Sequence, residues 1–272
     1  MESLELLLTH VGIVWCFLLL YVTKVFIIAQ VRRDNSIMDI AYGPAFLFAA
    51  GGTLLVTGWY AILPLLMTVC IGAWAARLSI RIGRKNWGKP EDPRYAAWRQ
   101  TWEARGRLYF LVRSYLQVNL LQGAIIAVVL LPFIIAVSAH PLHVTWWSVW
   151  LGLGVYLLGL GIETLADYQL DQFLARKRAG TEPATLMTTG LFRYSRRPNY
   201  FGETLIWWGL AIMVLPLPYG WLALASPLLI TFIVTRVTGP MLEEIFLEKY
   251  PEEYRAYMAR TSYFIPLPPR RV

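Results

Sequence analysis

Apolar residues in this chain come in long runs, not in the spaced stripes of a soluble helix. Seven runs are long enough, or nearly so, to cross the roughly 30 Å apolar core of a bilayer as helices. They lie at about 7–30, 36–57, 59–80, 112–138, 144–165, 199–216 and 219–238. The connections alternate in length. Short turns fall near Gly58, at Ala139–Val144 and at Leu217–Gly220. Long ones are Val31–Asn35, Arg81–Leu111, Ala166–Pro198 and the tail from Gly239. There is no internal repeat and no low-complexity segment. The expected fold is all-α: a polytopic membrane protein of about seven transmembrane helices, with residues 1–272 forming one domain.

Composition agrees with that pattern. Of 272 residues, 57% are hydrophobic and 15% charged, and mean hydropathy is +0.49. A soluble domain could not hide so much apolar surface. Twelve tryptophans and fifteen tyrosines suit the interfacial belts of a membrane protein. A net charge of +8 would suit nucleic acid. That partner is excluded because the basic residues sit in the connections between spans, where orientation signals belong. None lies on the short-turn side. The positive-inside rule therefore puts the long connections in the cytoplasm, the N-terminus outside and, with seven spans, the C-terminus in the cytoplasm. Glu2 and Glu5 replace the basic start of a signal peptide, so the first run is expected to be a span. Cys16 and Cys70 fall in apolar runs and are expected to be inert packing residues.

One polar stretch stands out from this background. Gly190–Glu203 holds Arg193, Tyr194, Arg196, Arg197, Asn199, Tyr200 and Glu203. Pro198 fits the first turn of a helix and not its interior. Gly190–Arg197 is therefore read as a turn, and Pro198 as the start of the sixth span. Asn199 and Glu203 then share one helix face at i, i+4. An amide, a carboxylate and three arginines at the mouth of an apolar helix suit a polar, partly anionic ligand. The plainer reading makes the arginines anchors to lipid phosphates, which leaves Asn199 and Glu203 unexplained.

Other polar residues enter apolar runs. Asp39 lies about one turn inside the second span, and Tyr42 shares its face. A carboxyl group in low dielectric can stay protonated and donate to a developing oxyanion. The alternative is a structural aspartate that reaches water or pairs with Arg77. Asp34 and Ser36 are expected N-caps. Arg77 and Arg81 end the third span, either as stop signals or as a phosphate-holding rim. The connection Gly88–Gly106 is aromatic enough to pack as a lid, and Tyr95 in it suits packing equally well. Glu163 and Asp167, at i, i+4, invite a metal. The histidines His10, His140 and His143 all lie at the other ends of the spans, so no metal is expected. Gln122 is read as a helix–helix hydrogen bond. The tail carries Glu243 and Glu244, too acidic for simple adhesion to anionic lipid.

Taken together, these motifs resemble the steroid 5-alpha-reductase-like family of membrane reductases, in its bacterial branch. The resemblance covers most of the chain. Its strongest part is Gly190–Glu203 followed by Trp207 and Trp208. Asp34–Gly43, the Arg77 region, Glu91–Tyr95, Glu163–Gln169 and Phe264-Ile265-Pro266 add to it. It implies a bacterial inner-membrane protein that binds NADPH from the cytoplasmic side. It also implies reduction of a carbon–carbon double bond conjugated to a ketone. The substrate would be lipophilic and would enter from the bilayer, with membrane lipids around a monomer. By the same resemblance Asn199 and Glu203 are cofactor contacts near the nicotinamide, and Asp167 holds a cofactor hydroxyl. Arg77, Arg193, Arg197 and Arg236 take the phosphates. Arg81, Tyr194, Tyr200, Glu243 and Glu244 complete the expected cofactor-binding set. Asp39 and Tyr42 are the expected catalytic residues. Asp39 stands where the family has a glutamate, Trp74 where it has a tyrosine, and Glu243-Glu244 near a missing histidine. A rival resemblance is to isoprenylcysteine carboxyl methyltransferases, which use S-adenosylmethionine. Those share the Glu-Glu pair and a similar turn, with histidine where Arg197 stands. A transporter is a third reading, disfavoured because the ionisable residues avoid the middle of the spans.

Overall fold

The computed structural model describes residues 2–58, 60–86, 88–139 and 143–270. The middle of the expected Ala139–Val144 turn, with His140, lies outside the described residues. The helices are α1 (Glu2–Arg32), α2 (Ile37–Thr57), α3 (Ile62–Asn86), α4 (Pro93–Glu103), α5 (Arg107–Val129), α6 (Leu131–Ser138), α7 (Trp146–Arg178), α8 (Pro198–Val214), α9 (Gly220–Lys249) and α10 (Pro251–Arg260). No strand forms among the described residues. Six helices there are long and apolar enough to cross a membrane: α1, α2, α3, α5, α7 and α9. The protein is therefore an all-helical integral membrane protein.

The sixth expected span is α8. Its 17 residues reach only about 26 Å at 1.5 Å per residue, short of the roughly 30 Å core. Other boundaries shift too. The run at 112–138 divides at Leu130, because Pro132 cannot continue the hydrogen bonding of α5. The helix expected to stop at 165 continues to Arg178, so Glu163 and Asp167 lie inside α7 and not at its end. The last span continues past Gly239 to Lys249.

The chain divides into two compact units, Met1–Val144 with Pro216–Leu222, and Thr145–Leu215 with Ala223–Val272. In the first, α2 packs on α1 and α3. Phe46 and Trp74 meet edge to face at 5.1 Å inside this unit. The expected lid is α4, and it belongs to the core. Tyr95 and Trp102 are buried in one cluster with Val22, Met38 and Phe110. Asp92 caps α4 by accepting from the Arg94 backbone at 3.0 Å, and Pro93 opens its first turn.

In the second unit α7 and α8 pack along their length through glycines. A methyl group on Gly202 would lie 2.5 Å from the Glu163 backbone nitrogen, and one on Gly209 2.5 Å from that of Tyr156. Such close backbone approach is the usual use of small residues between membrane helices. Gly202 thereby sets Asn199 and Glu203, on the first turns of α8, against the Glu163 level of α7.

Candidate active site

In the first unit, Asp39 sits half-buried in the first turn of α2. Its Oδ1 accepts from the Tyr95 hydroxyl at 2.7 Å, and its Oδ2 lies 3.5 Å from Arg94 Nη2. Gln122 of α5 also hydrogen-bonds Tyr95. Burial, the largest cause, pushes the Tyr95 phenol up. Tyr95 therefore keeps its proton and acts as a donor across the neutral range. A second clamp holds α4 in place. Glu91 accepts from Arg99 Nε and Nη2, both at 2.9 Å, and from the Asn35 backbone at 2.7 Å. The N-cap expectation needs correction. Ser36 makes no side-chain cap bond, and Asp34 instead accepts from the Ser36 backbone at 2.9 Å and from its hydroxyl.

In the second unit, the stretch before α8 folds as a 3-10 turn, Gly190–Arg193. Gly190 has φ +61°, and a side chain there would collide with Gln169. Gln169 instead accepts from the Leu191 backbone at 2.9 Å. Ser195 and Arg196 are buried against the tail. Ser195 Oγ donates to the Phe264 carbonyl at 2.7 Å, and the Arg196 backbone donates to Ser262 at 2.9 Å. The Arg196 guanidinium, 8% exposed, pairs with Glu243 at 2.8 Å and lies over the Tyr263 ring at 5.4 Å. Tyr254 also donates to Glu243, at 3.3 Å. Burial, first of several causes, pushes the Tyr254 phenol up to about 12.

Arg197 is different. Its guanidinium lies over the Phe246 ring at 5.5 Å. Its Nε and Nη2 are buried, with no hydrogen-bond acceptor. Nearby, α9 takes a π turn over Ile233–Thr238 that contains Arg236, a geometry often found at functional sites. The Tyr263 hydroxyl donates to the Thr235 carbonyl there at 2.9 Å. Glu163 and Asp167 are buried on α7, 4% and 5% exposed. Among the described residues no group of three His, Cys, Asp or Glu could hold a metal ion.

A family described as "protein of unknown function (DUF1295)" matches residues 25–261. The chain belongs to the DUF1295 family. An uncharacterized member of the fission yeast proteome, C594.04c of Schizosaccharomyces pombe, is 26% identical over 262 residues, which is 88% of this chain and 72% of that protein. Steroid 5-alpha-reductase DET2 of Gossypium hirsutum is 28% identical over 119 residues, 41% of this chain and 42% of that protein. No solved structure matches.

For this DUF1295 chain, Asp167, Arg193, Tyr194, Arg197, Asn199, Tyr200, Glu203, Arg236, Glu243 and Glu244 all fall in the second unit. Arg77, Arg81, Asp39 and Tyr42 fall in the first. Glu243 is engaged by Arg196 and Tyr254, whereas Glu244 is exposed. The Tyr42 ring packs edge-on to Phe46 at 5.2 Å. The hydroxyl on Asp39 is that of Tyr95. Sequence reasoning placed Tyr95 in a lid and missed this bond. Ser195, Thr261 and Tyr263 were also missed as site-building residues, and for Arg196, read as one of three arginines for an anionic ligand, the pairing with Glu243 was missed. Their partners are 28 to 69 residues away in sequence, so no local pattern shows them.

Proposed function

We propose that the chain is a membrane reductase that uses NADPH to reduce the carbon–carbon double bond of an apolar enone. The observation that carries this reading is Arg197. A guanidinium with two buried N–H groups and no acceptor suits an anionic ligand, since an unmet buried donor is costly. It stands two residues before Asn199 and six before Glu203, so phosphate and polar-ring contacts come from one short segment. The partial similarity to a steroid 5-alpha-reductase supports the same reading.

In this proposal Arg197 holds a cofactor phosphate, with Arg236 of the same unit adding charge. Asn199 and Glu203 orient the nicotinamide amide, with Tyr194 and Tyr200 nearby in the chain and Glu244 contributed by α9. Asp167 accepts from a cofactor hydroxyl. NADPH, when bound, supplies the hydride that adds to the beta carbon. Negative charge then develops on the carbonyl oxygen as an enolate, which is discharged when a proton from water reaches the alpha carbon. Asp39, holding a proton, donates to that oxygen while accepting from Tyr95. A donor placed there stabilises the transition state more than the ground state. Arg94, 3.5 Å from Asp39, tunes how readily that proton stays. Tyr42 lines the same helix face. The substrate is lipophilic and enters from the bilayer, and the basic connections with the cofactor face the cytoplasm.

Binding of NADPH to the purified protein tests the assignment. Glu203→Ala and Asn199→Ala are each expected to weaken it about tenfold, the worth of one good hydrogen bond to a polar ligand, with the protein still folded. Equal affinity in both variants and the wild type would remove the site. Titration with S-adenosylmethionine in parallel separates the reductase from a methyltransferase.

A further inference from the structure

A cavity of about 520 Å³ opens in the second unit, outside the candidate spans. Its wall is made by Thr188 and Arg193 before α8, by Glu253, Tyr257 and Arg260 on α10, and by Thr261 just beyond. The volume lies within the range of small-molecule sites. Hydrogen bonds tie the walls together. The Tyr257 hydroxyl donates to the Phe192 carbonyl at 2.5 Å, and Thr261 Oγ1 to the Arg193 carbonyl at 3.4 Å. The Arg270 backbone donates to the Arg260 carbonyl at 2.9 Å, which fixes the tail at the rim. Burial pushes the Tyr257 phenol up, so that link persists across the neutral range.

The charged side chains that line this cavity are exposed. Elsewhere in the unit arginines close onto carboxylates: Arg176 on Glu182 at 3.0 Å, Arg196 on Glu243 at 2.8 Å and Arg255 on Glu252 at 3.3 Å. Arg193, Arg260 and Glu253 line one cavity, yet among the described residues none of the three takes part in an ion pair. Two guanidinium groups with unused forks match one phosphate. A carboxylate lining the same cavity suits a hydroxyl or amine a few bonds from that phosphate.

We propose that this cavity binds a phosphate ester, with Arg193 and Arg260 on the phosphate and Glu253 on a neighbouring hydroxyl or amine. The proposal does not rest on the reductase reading, since the cavity and its charges stand whatever reaction the protein performs. Two sources share this chemistry, a phosphorylated ribose and a phospholipid headgroup.

Titration calorimetry on the full-length protein in neutral detergent tests it with adenosine 2′,5′-bisphosphate and glycerophosphoethanolamine as probes. At least one probe is expected to bind. Arg260→Ala is expected to weaken that binding roughly ten- to a hundredfold, the loss of a charge-assisted contact. Arg255→Ala, on the same helix but outside the cavity, is expected to leave it unchanged. Arg260 is exposed, so its loss leaves folding intact, which the melting temperature checks. Binding of the bisphosphate alone assigns the site to a nucleotide, and binding of the glycerophosphoester alone assigns it to a lipid headgroup. Either outcome supports the proposal. If neither probe binds, or if Arg255→Ala weakens binding as much as Arg260→Ala, the proposal is overturned. None of these results bears on hydride transfer.

Discussion

Asp39→Ala is expected to lower the single-turnover rate of enone reduction by roughly two to three orders of magnitude, the usual loss for one oxyanion donor. NADPH affinity should barely change, because the groups assigned to the cofactor phosphates lie elsewhere in the chain. Asp39→Asn keeps a donor and should retain part of the rate. Tyr95→Phe keeps the ring in its buried cluster and removes only the 2.7 Å bond to Asp39. It should cost roughly tenfold, the net worth of one hydrogen bond. A structural Asp39 predicts another pattern. Asp39→Ala would then strip the carboxylate from Arg94 and Tyr95 and lower stability first, with the remaining protein fully active. Melting temperature and single-turnover rate, measured on the same four proteins, separate the two.

The second large effect concerns stability. Glu243→Ala leaves the Arg196 guanidinium, 8% exposed, without its carboxylate. Breaking one side of a buried pair costs about 3–5 kcal/mol. The melting temperature should therefore fall by on the order of 10 °C. Glu243→Gln still accepts from Tyr254 and Arg196 and should lose less. Arg196 is anchored through its backbone to Ser262, so the damage should spread to Arg197 and weaken NADPH binding as a consequence. If Glu243→Ala lost cofactor affinity at unchanged melting temperature, Glu243 would be a direct ligand and the ion pair incidental.

How much of this was legible in the sequence follows from the range of each interaction. Runs of apolar residues show helices directly, so the all-helical membrane fold could be read from hydropathy. The ends could not. Asp167 looked like a loop residue because the hydropathy falls after 165, yet α7 continues to Arg178. A helix needs no apolar side chains to go on once its backbone bonds are formed. The Pro198 start of α8 was legible because proline restricts the backbone locally. The Asp39–Tyr95 bond spans 56 residues, and Arg196–Glu243 spans 47. Composition pointed to Asp39, and only the fold supplied Tyr95. For the same reason the sequence reading put Glu243 in the cofactor-binding set without its partner, and the structure adds that it holds Arg196.

The most direct test of the central claim follows the hydride. Purified protein is supplied with NADPH deuterated at C4 of the nicotinamide and with a 3-oxo-delta-4-steroid as a model enone. The product is read by mass spectrometry. The account predicts one deuterium at the beta carbon, formed with NADP⁺ in equal amount, and far less of both with Asp39→Ala. Tight binding of S-adenosylmethionine, with no deuterium transferred to this or other lipophilic enones, would contradict it.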